Sequence, residues 1–323
     1  MNRRTLPVTV TGILFVLLFI AGAAQFTGFA SPRVILNLFT DNAFLAIIAL
    51  GMTFVILSGG IDLSVGSVLA FSSVLCATLI QVHGWHPLAV FPVVLIAGAC
   101  FGAVMGIFIH VYKLQPFIVT LAGMFFARGL ATVISEQSIP IEHSFIDAIN
   151  NFGFAVPGRG WVGSATLILV AVFIFGTWLA HFTRLGGYIY ALGGNAHSAA
   201  LLGVPMGLTT ISIYTLSSTL AALSGIVYSC YTASGYALTG IGLELDAIAA
   251  VVIGGTLISG GYGYVLGTLL GVMTMGLIQT WISFHGSLSS WWTKIFIGSL
   301  VLLFMIFQRW ISQGLTGRRH APN

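Results

Sequence analysis

Side chains able to do chemistry are few in this chain, and they cluster. Asp62 stands inside LSGGIDLSVGS (57–67), after the pair Gly59-Gly60 and ahead of Ser64 and Ser67. Glycines permit non-helical backbone there, and a carboxylate with following hydroxyls can satisfy the freed N–H groups of the next helix. The same acid could instead face a passage or a gate. Asp41-Asn42 and the pair Glu244 and Asp246 each open an apolar run. Such acids suit the first turn of a helix, and they equally offer hydrogen bonds to a hydroxylated solute at the mouth of a path. Arg128 lies about 13 residues into another apolar run. It is expected to snorkel or to pair with an acid such as Glu136 or Asp246. His83-x-x-His86 has no carboxylate or cysteine nearby in sequence, so no metal site is expected.

Motifs for independent catalysis are missing. The chain has no GxxxxGK[ST], and neither lysine follows a glycine, so it cannot build a Walker phosphate loop. HExxH and GxSxG are also absent. The chain is therefore expected not to be an enzyme and to carry no cofactor. Any energy from ATP would arrive on another subunit.

The elements that must position these residues are membrane helices. Of 323 residues 58% are apolar and only 6% charged, against about 25% charged in soluble domains. A spanning helix needs about 20 apolar residues. The long runs lack the period-2 alternation of a barrel, which leaves an all-α integral membrane protein. About ten segments are expected: 8–28, 40–58, 61–82, 88–110, 115–135, 161–181, 209–232, 244–259, 263–284 and 291–310. Arg3-Arg4 ahead of an apolar run could also open a signal peptide, and a retained first span is the favoured reading. An even count puts both termini on one side. Arg3, Arg4, Lys113, Arg184, Arg309, Arg318 and Arg319 fall on that side, while Arg33 and Arg159 fall opposite. The bias makes both termini cytoplasmic. The net charge of +4 is scattered by this topology and is no nucleic-acid signal. Cys76, Cys100 and Cys230 lie far apart in apolar runs, as small buried hydrophobes do.

A repeat organises the chain. LSGGIDLSVGS returns as ISGGYGYVLGT (258–268), offset by a constant 201 residues. Ser58-Gly59-Gly60 maps onto Ser259-Gly260-Gly261, and Ala46, Ile47 and Ala49 map onto Ala247, Ile248 and Ala250. Position 62 becomes Gly263 in the second copy. Two apolar hairpins broken by Gly-rich turns suggest a pathway between repeat halves of about 40–135 and 209–310 within one transmembrane domain, 1–323. Gly98, Gly102 and Gly106, and likewise Gly263, Gly267 and Gly271, are spaced by four, a pattern for close helix packing in lipid. One polar loop, 181–207, reads HFTRLGGYIYALGGNAHSAALLGVPMG. Within it Asn195 is a candidate cap for a short helix, 196–202, ended by Gly203 and Pro205. A helix too short to span suits docking to a partner.

Three long segments carry a resemblance: FVILSGGIDLSVGSVLA (54–70), TRLGGYIYALGGNAHSAALLGV (183–204) and ELDAIAAVVIGGTLISGGYGYVLGT (244–268). They strongly resemble the inner-membrane permeases of ribose-type sugar ABC importers, over about 40–308. TDNAF (40–44), SIPI (138–141) and SSWWTKI (289–295) look most like the galactofuranose importer permeases. The resemblance implies a bacterial inner-membrane subunit that works by alternating access. It implies a cytoplasmic ABC ATPase carrying ATP and Mg, a second permease subunit (identical or related) and a periplasmic sugar-binding protein. Arg184, Gly186, Asn195, Ala199, Ala200 and Gly203 match the family's ATPase-coupling stretch. Path or gating roles fall to Asp41, Asn42, Gly59, Gly60, Asp62, Ser64, Glu244, Asp246, Gly260 and Gly261. The rival reading is a self-sufficient channel or an ion-coupled sugar carrier.

Overall fold

A computed structural model describes residues 6–289 and 291–316, with side chains placed up to 306 in the last helix. Arg3, Arg4, Arg318 and Arg319 lie outside the described residues. Each of the ten expected apolar segments is helical. They are α1 (Leu6–Gln25), the consecutive pair α2 (Pro32–Asp41) and α3 (Ala43–Leu57), α4 (Val65–Ala77), α5 (Pro87–Val111), α6 (Pro116–Ile134), α8 (Ser164–Phe182), α11 (Met206–Thr232), α12 (Leu243–Ile253), α13 (Val265–His285) and α14 (Trp291–Thr316). Between them lie α7 (Ser144–Asn151), α9 (Arg184–Gly194) and α10 (Ala196–Leu201). Four short strands, β1 (Ile139–Pro140), β2 (Gly153–Val156), β3 (Gly160–Gly163) and β4 (Ser234–Gly235), form two antiparallel pairs, β1 with β4 and β2 with β3.

Among the described residues seven helices are long and apolar enough to cross a membrane, or eight if α2 and α3, bent by 53°, count as one span, and α14 is apolar over Trp291–Ile306. At 11 residues, α12 rises only about 16 Å, half a bilayer core of about 30 Å. The expected span at 244–259 is thus a half-helix. It stops at Ile253 because Gly254 and Gly255 follow, Gly255 with φ +90°. The α2–α3 bend also has a local cause. The Asn42 amide donates to the Leu38 carbonyl at 2.8 Å, drawing that oxygen away from the helical ladder.

Fourteen of the 15 residues of α3 are buried. A helix apolar all round belongs in the middle of a bundle, and α3 is packed by α11, α12, α8 and α13. Lipid-facing helices ring this centre, with large exposed side chains such as Ile96 and Phe108 on α5, Phe125 and Phe126 on α6, and Ile174 on α8. Of the cysteines, Cys76 and Cys230 are buried as expected, but Cys100 is exposed, on the outer face of α5.

The glycine stripes are packing devices. Gly98, Gly102 and Gly106 lie against the backbone of α11, at Ser218, Tyr214 and Ile211. Gly267 and Gly271 lie against Gly254 and Ala250 at the end of α12. A methyl group on Gly102 would overlap the Tyr214 carbonyl oxygen. Gly102→Ala is therefore expected to push α5 off α11 at a cost of about 1–3 kcal/mol. Thermal unfolding of the detergent-purified chain should show a midpoint several degrees lower. Ala at Gly129, which has open space around it, should leave the midpoint unchanged.

Candidate functional site

Two regions hold nearly all the residues singled out by sequence, at opposite ends of the same helices. The first is the junction of both Gly-rich turns. Gly59 and Gly260, one repeat apart, both adopt left-handed backbone, φ +85° and +83°, where glycine carries no steric cost. The turns are bonded to each other: the Gly261 N–H donates to the Leu57 carbonyl at 2.8 Å. The repeats also meet through Thr53 and Thr268, whose hydroxyls lie 2.6 Å apart. The loop 181–207 packs on this junction. The Tyr190 hydroxyl donates to the Gly263 carbonyl at 2.8 Å. Burial pushes the Tyr190 phenol up to about 12, so it stays a neutral donor.

Asp62 is fully buried in the first turn. One carboxylate oxygen accepts from the Ser64 N–H at 2.9 Å and the Ser64 hydroxyl at 2.6 Å. The other accepts from the Ser217 hydroxyl of α11 at 2.7 Å. The acid thus closes the turn just ahead of α4 and ties it to α11. Gly60 lies where a side chain would collide with the Tyr214 hydroxyl.

Residues of the coupling stretch divide by role. The Asn195 side chain accepts from the Ser198 N–H at 2.8 Å and so starts α10. Gly203, with φ +81°, ends it in the left-handed cap common after helices. Gly186 is packed against the Ala180 carbonyl at the end of α8, and Ala199 is the one buried residue of α10. Arg184 and Ala200 are exposed. Beside them Leu201 and Leu202 are 77% and 84% exposed, an apolar tip that nothing in the sequence pattern had singled out.

The second region is a vestibule of about 600 Å³, formed by the far ends of α2, α3, α12, α13 and α14 and carrying several polar groups on an otherwise apolar wall. Its walls bring together Asp41, Asn42, Asp246, Gln279, Trp291 and Lys294. The Tyr231 hydroxyl holds Asp41 at 2.9 Å. Asp246 accepts from the Lys294 ammonium at 2.8 and 2.7 Å. The expected pairing of Arg128 is corrected here. Arg128 does not pair with Asp246 or Glu136: its guanidinium donates to the Ala237 and Thr239 carbonyls and faces Glu244. Five fixed donors suit a guanidinium to clamping a loop. Glu244 consequently lies beside Arg128 and Gly66, away from the vestibule lining that Asp246 shares. Lys294 supplies a cation to the vestibule wall. His86 caps α5 by accepting from the Leu88 N–H at 3.3 Å, and His83 lies 3.2 Å from the Thr78 carbonyl.

Lipid-exposed helices surround two Gly-broken hairpins, with a vestibule at one end and a short exposed helix at the other, as suits a membrane transport subunit. The family model described as branched-chain amino acid transport system / permease component matches residues 34–305. An inner membrane ABC transporter permease protein of Escherichia coli (strain K12), YjfF, is 55% identical, covering 100% of this chain and 97% of its own length. The fructose import permease protein FruG of Bifidobacterium longum (strain NCC 2705) is 39% identical over 96% and 92%. The ribose import permease protein RbsC of Escherichia coli (strain K12) is 37% identical over 84% of each chain. No solved structure matches. The chain belongs to this family of ABC transporter permeases, in its ribose-type sugar importer branch.

Proposed function

We propose that the chain is the membrane-spanning subunit of an ATP-driven sugar importer and forms the path by alternating access. A separate cytoplasmic ABC ATPase binds ATP and Mg and docks on α10. A second permease subunit completes the path, and a periplasmic binding protein delivers the sugar to the vestibule end. Both termini then face the cytoplasm, with α9 and α10. The observation that carries this reading is the helix α10, capped by Asn195, with Leu201 and Leu202 held out from the bundle. Ribose and fructose permeases among the relatives support a pentose or hexose as the cargo. The segments 40–44, 138–141 and 289–295 favour galactofuranose. In the vestibule, Asp41, Asn42, Gln279 and the Asp246–Lys294 pair offer donors and acceptors to sugar hydroxyls as they pass.

The test is purification of the tagged chain from its native membrane in mild detergent, with mass spectrometry of what accompanies it. A P-loop ATPase is expected in stoichiometric amount. Recovery of the chain alone, with sugar flux retained after reconstitution, would make it a self-sufficient channel or carrier instead.

A further inference from the structure

We infer that α9, not only the docking helix α10, is the transmission element of this permease, with Gly193 and Tyr190 as its positioning residues. The inference rests on the importer reading above. Both residues lie within the coupling stretch but are not among the six named for coupling, and nothing in the sequence places either beside the Gly-rich turns.

The geometry is a three-way joint. Gly193 packs directly on the Leu57 carbonyl, where the first broken helix ends, and on the Gly261 N–H of the second turn. Those two groups are themselves hydrogen-bonded at 2.8 Å. Three residues before Gly193, Tyr190 donates to the carbonyl of Gly263, two residues beyond Gly261, at 2.8 Å. Gly194 abuts Gly261 as well. Any Cβ at Gly193 would overlap the Leu57 carbonyl oxygen, so the site admits only glycine without displacement. Ile189, fully buried, pins the middle of α9 to the bundle, and only Asn195 separates α9 from α10.

The mechanical consequence follows from packing. Cores and interfaces switch between discrete arrangements and do not deform smoothly. A push on α10 reaches α9 through one residue, and α9 bears on both repeats at once. Each Gly-rich turn ends a helix, α3 or α12, whose far end lines the vestibule. Movement at α9 is thereby delivered to both walls of the path together. The joint's two contacts have separable jobs: Gly193 sets the distance of α9 from the first turn, and the Tyr190 hydroxyl holds the second.

The experiment uses the complete importer complex, purified with its co-purifying ATPase and placed in lipid nanodiscs. The chain carries Cys100→Ala, with Ser283→Cys as a reporter on the vestibule wall (the other two cysteines are buried). Maleimide labelling rate is compared between nucleotide-free complex and complex trapped with ATP and vanadate. A difference of at least threefold is expected with the joint intact. Tyr190→Phe, which keeps the ring and loses one hydroxyl, is expected to reduce that difference at least twofold. Gly193→Ala is expected to abolish it. Both should retain ATPase co-purification and vanadate trapping. Undiminished nucleotide-dependent labelling in Tyr190→Phe, with the complex assembled, would overturn the inference, whether or not Gly193→Ala folds. Failure of any ATPase to accompany the unaltered chain would overturn the importer reading instead.

Discussion

A chain carrying Leu201→Asp and Leu202→Asp is expected to insert and fold normally and to lose its ATPase. Both side chains are more than three-quarters exposed at the tip of α10, so their replacement removes no internal packing. Exposed apolar side chains that cluster at the end of a short helix mark a partner's groove. Burying a leucine contributes about 2 kcal/mol. Losing two therefore weakens docking by about 4 kcal/mol, roughly a thousand-fold in affinity. The measurement is co-purification of the ATPase from membranes in which wild type and variant accumulate equally. Sugar uptake by the cells should fall to background alongside it. Ala199→Leu makes an instructive contrast. Ala199 is 2% exposed, so a larger side chain there lifts α10 off its seat and lowers the unfolding midpoint as well. Full ATPase recovery with the double aspartate variant would remove α10 as the docking element.

Asp62→Ala is expected to have the largest effect on stability. Three hydrogen bonds converge on this fully buried carboxylate, two from Ser64 and one from Ser217. Alanine leaves a buried N–H and two hydroxyls without their acceptor. Each such orphan costs about 1–3 kcal/mol, and relaxation recovers part, so a net loss on the order of 3 kcal/mol is expected. Asn keeps an oxygen for Ser64 and turns its amide to the Ser217 hydroxyl, which can accept. Asp62→Asn should therefore cost about 1 kcal/mol or less. The unfolding midpoint in one detergent should fall in the order wild type, Asn, Ala, with Ser217→Ala near Asn. Equal midpoints for Ala and wild type would show that the acid is not a structural clamp.

Sequence made the membrane helices legible because lipid imposes long apolar runs, and it exposed the repeat because Gly-Gly turns recur at one offset. It also gave the Asn195 cap and the Gly203 stop, since both depend on residues one to eight positions away. Asn42 and Gly254 hide their effect from hydropathy. Each breaks a helix through local backbone chemistry, bending the segment at α2–α3 and cutting α12 to a half-helix. Composition alone therefore determined the all-α membrane class.

Long-range pairing was decided only in three dimensions. Asp246 and Lys294 are 48 positions apart and meet across the vestibule. Arg128 finds carbonyls more than 100 positions away. Tyr190 and Gly193 join turns lying on both sides of them in sequence, Leu57 before and Gly261 and Gly263 after. A charged or aromatic side chain in an apolar run announces that it needs a partner, but many candidates satisfy the same chemistry. Which one it meets depends on helix order and close approach, and these are set by small residues packing backbone against backbone throughout the bundle.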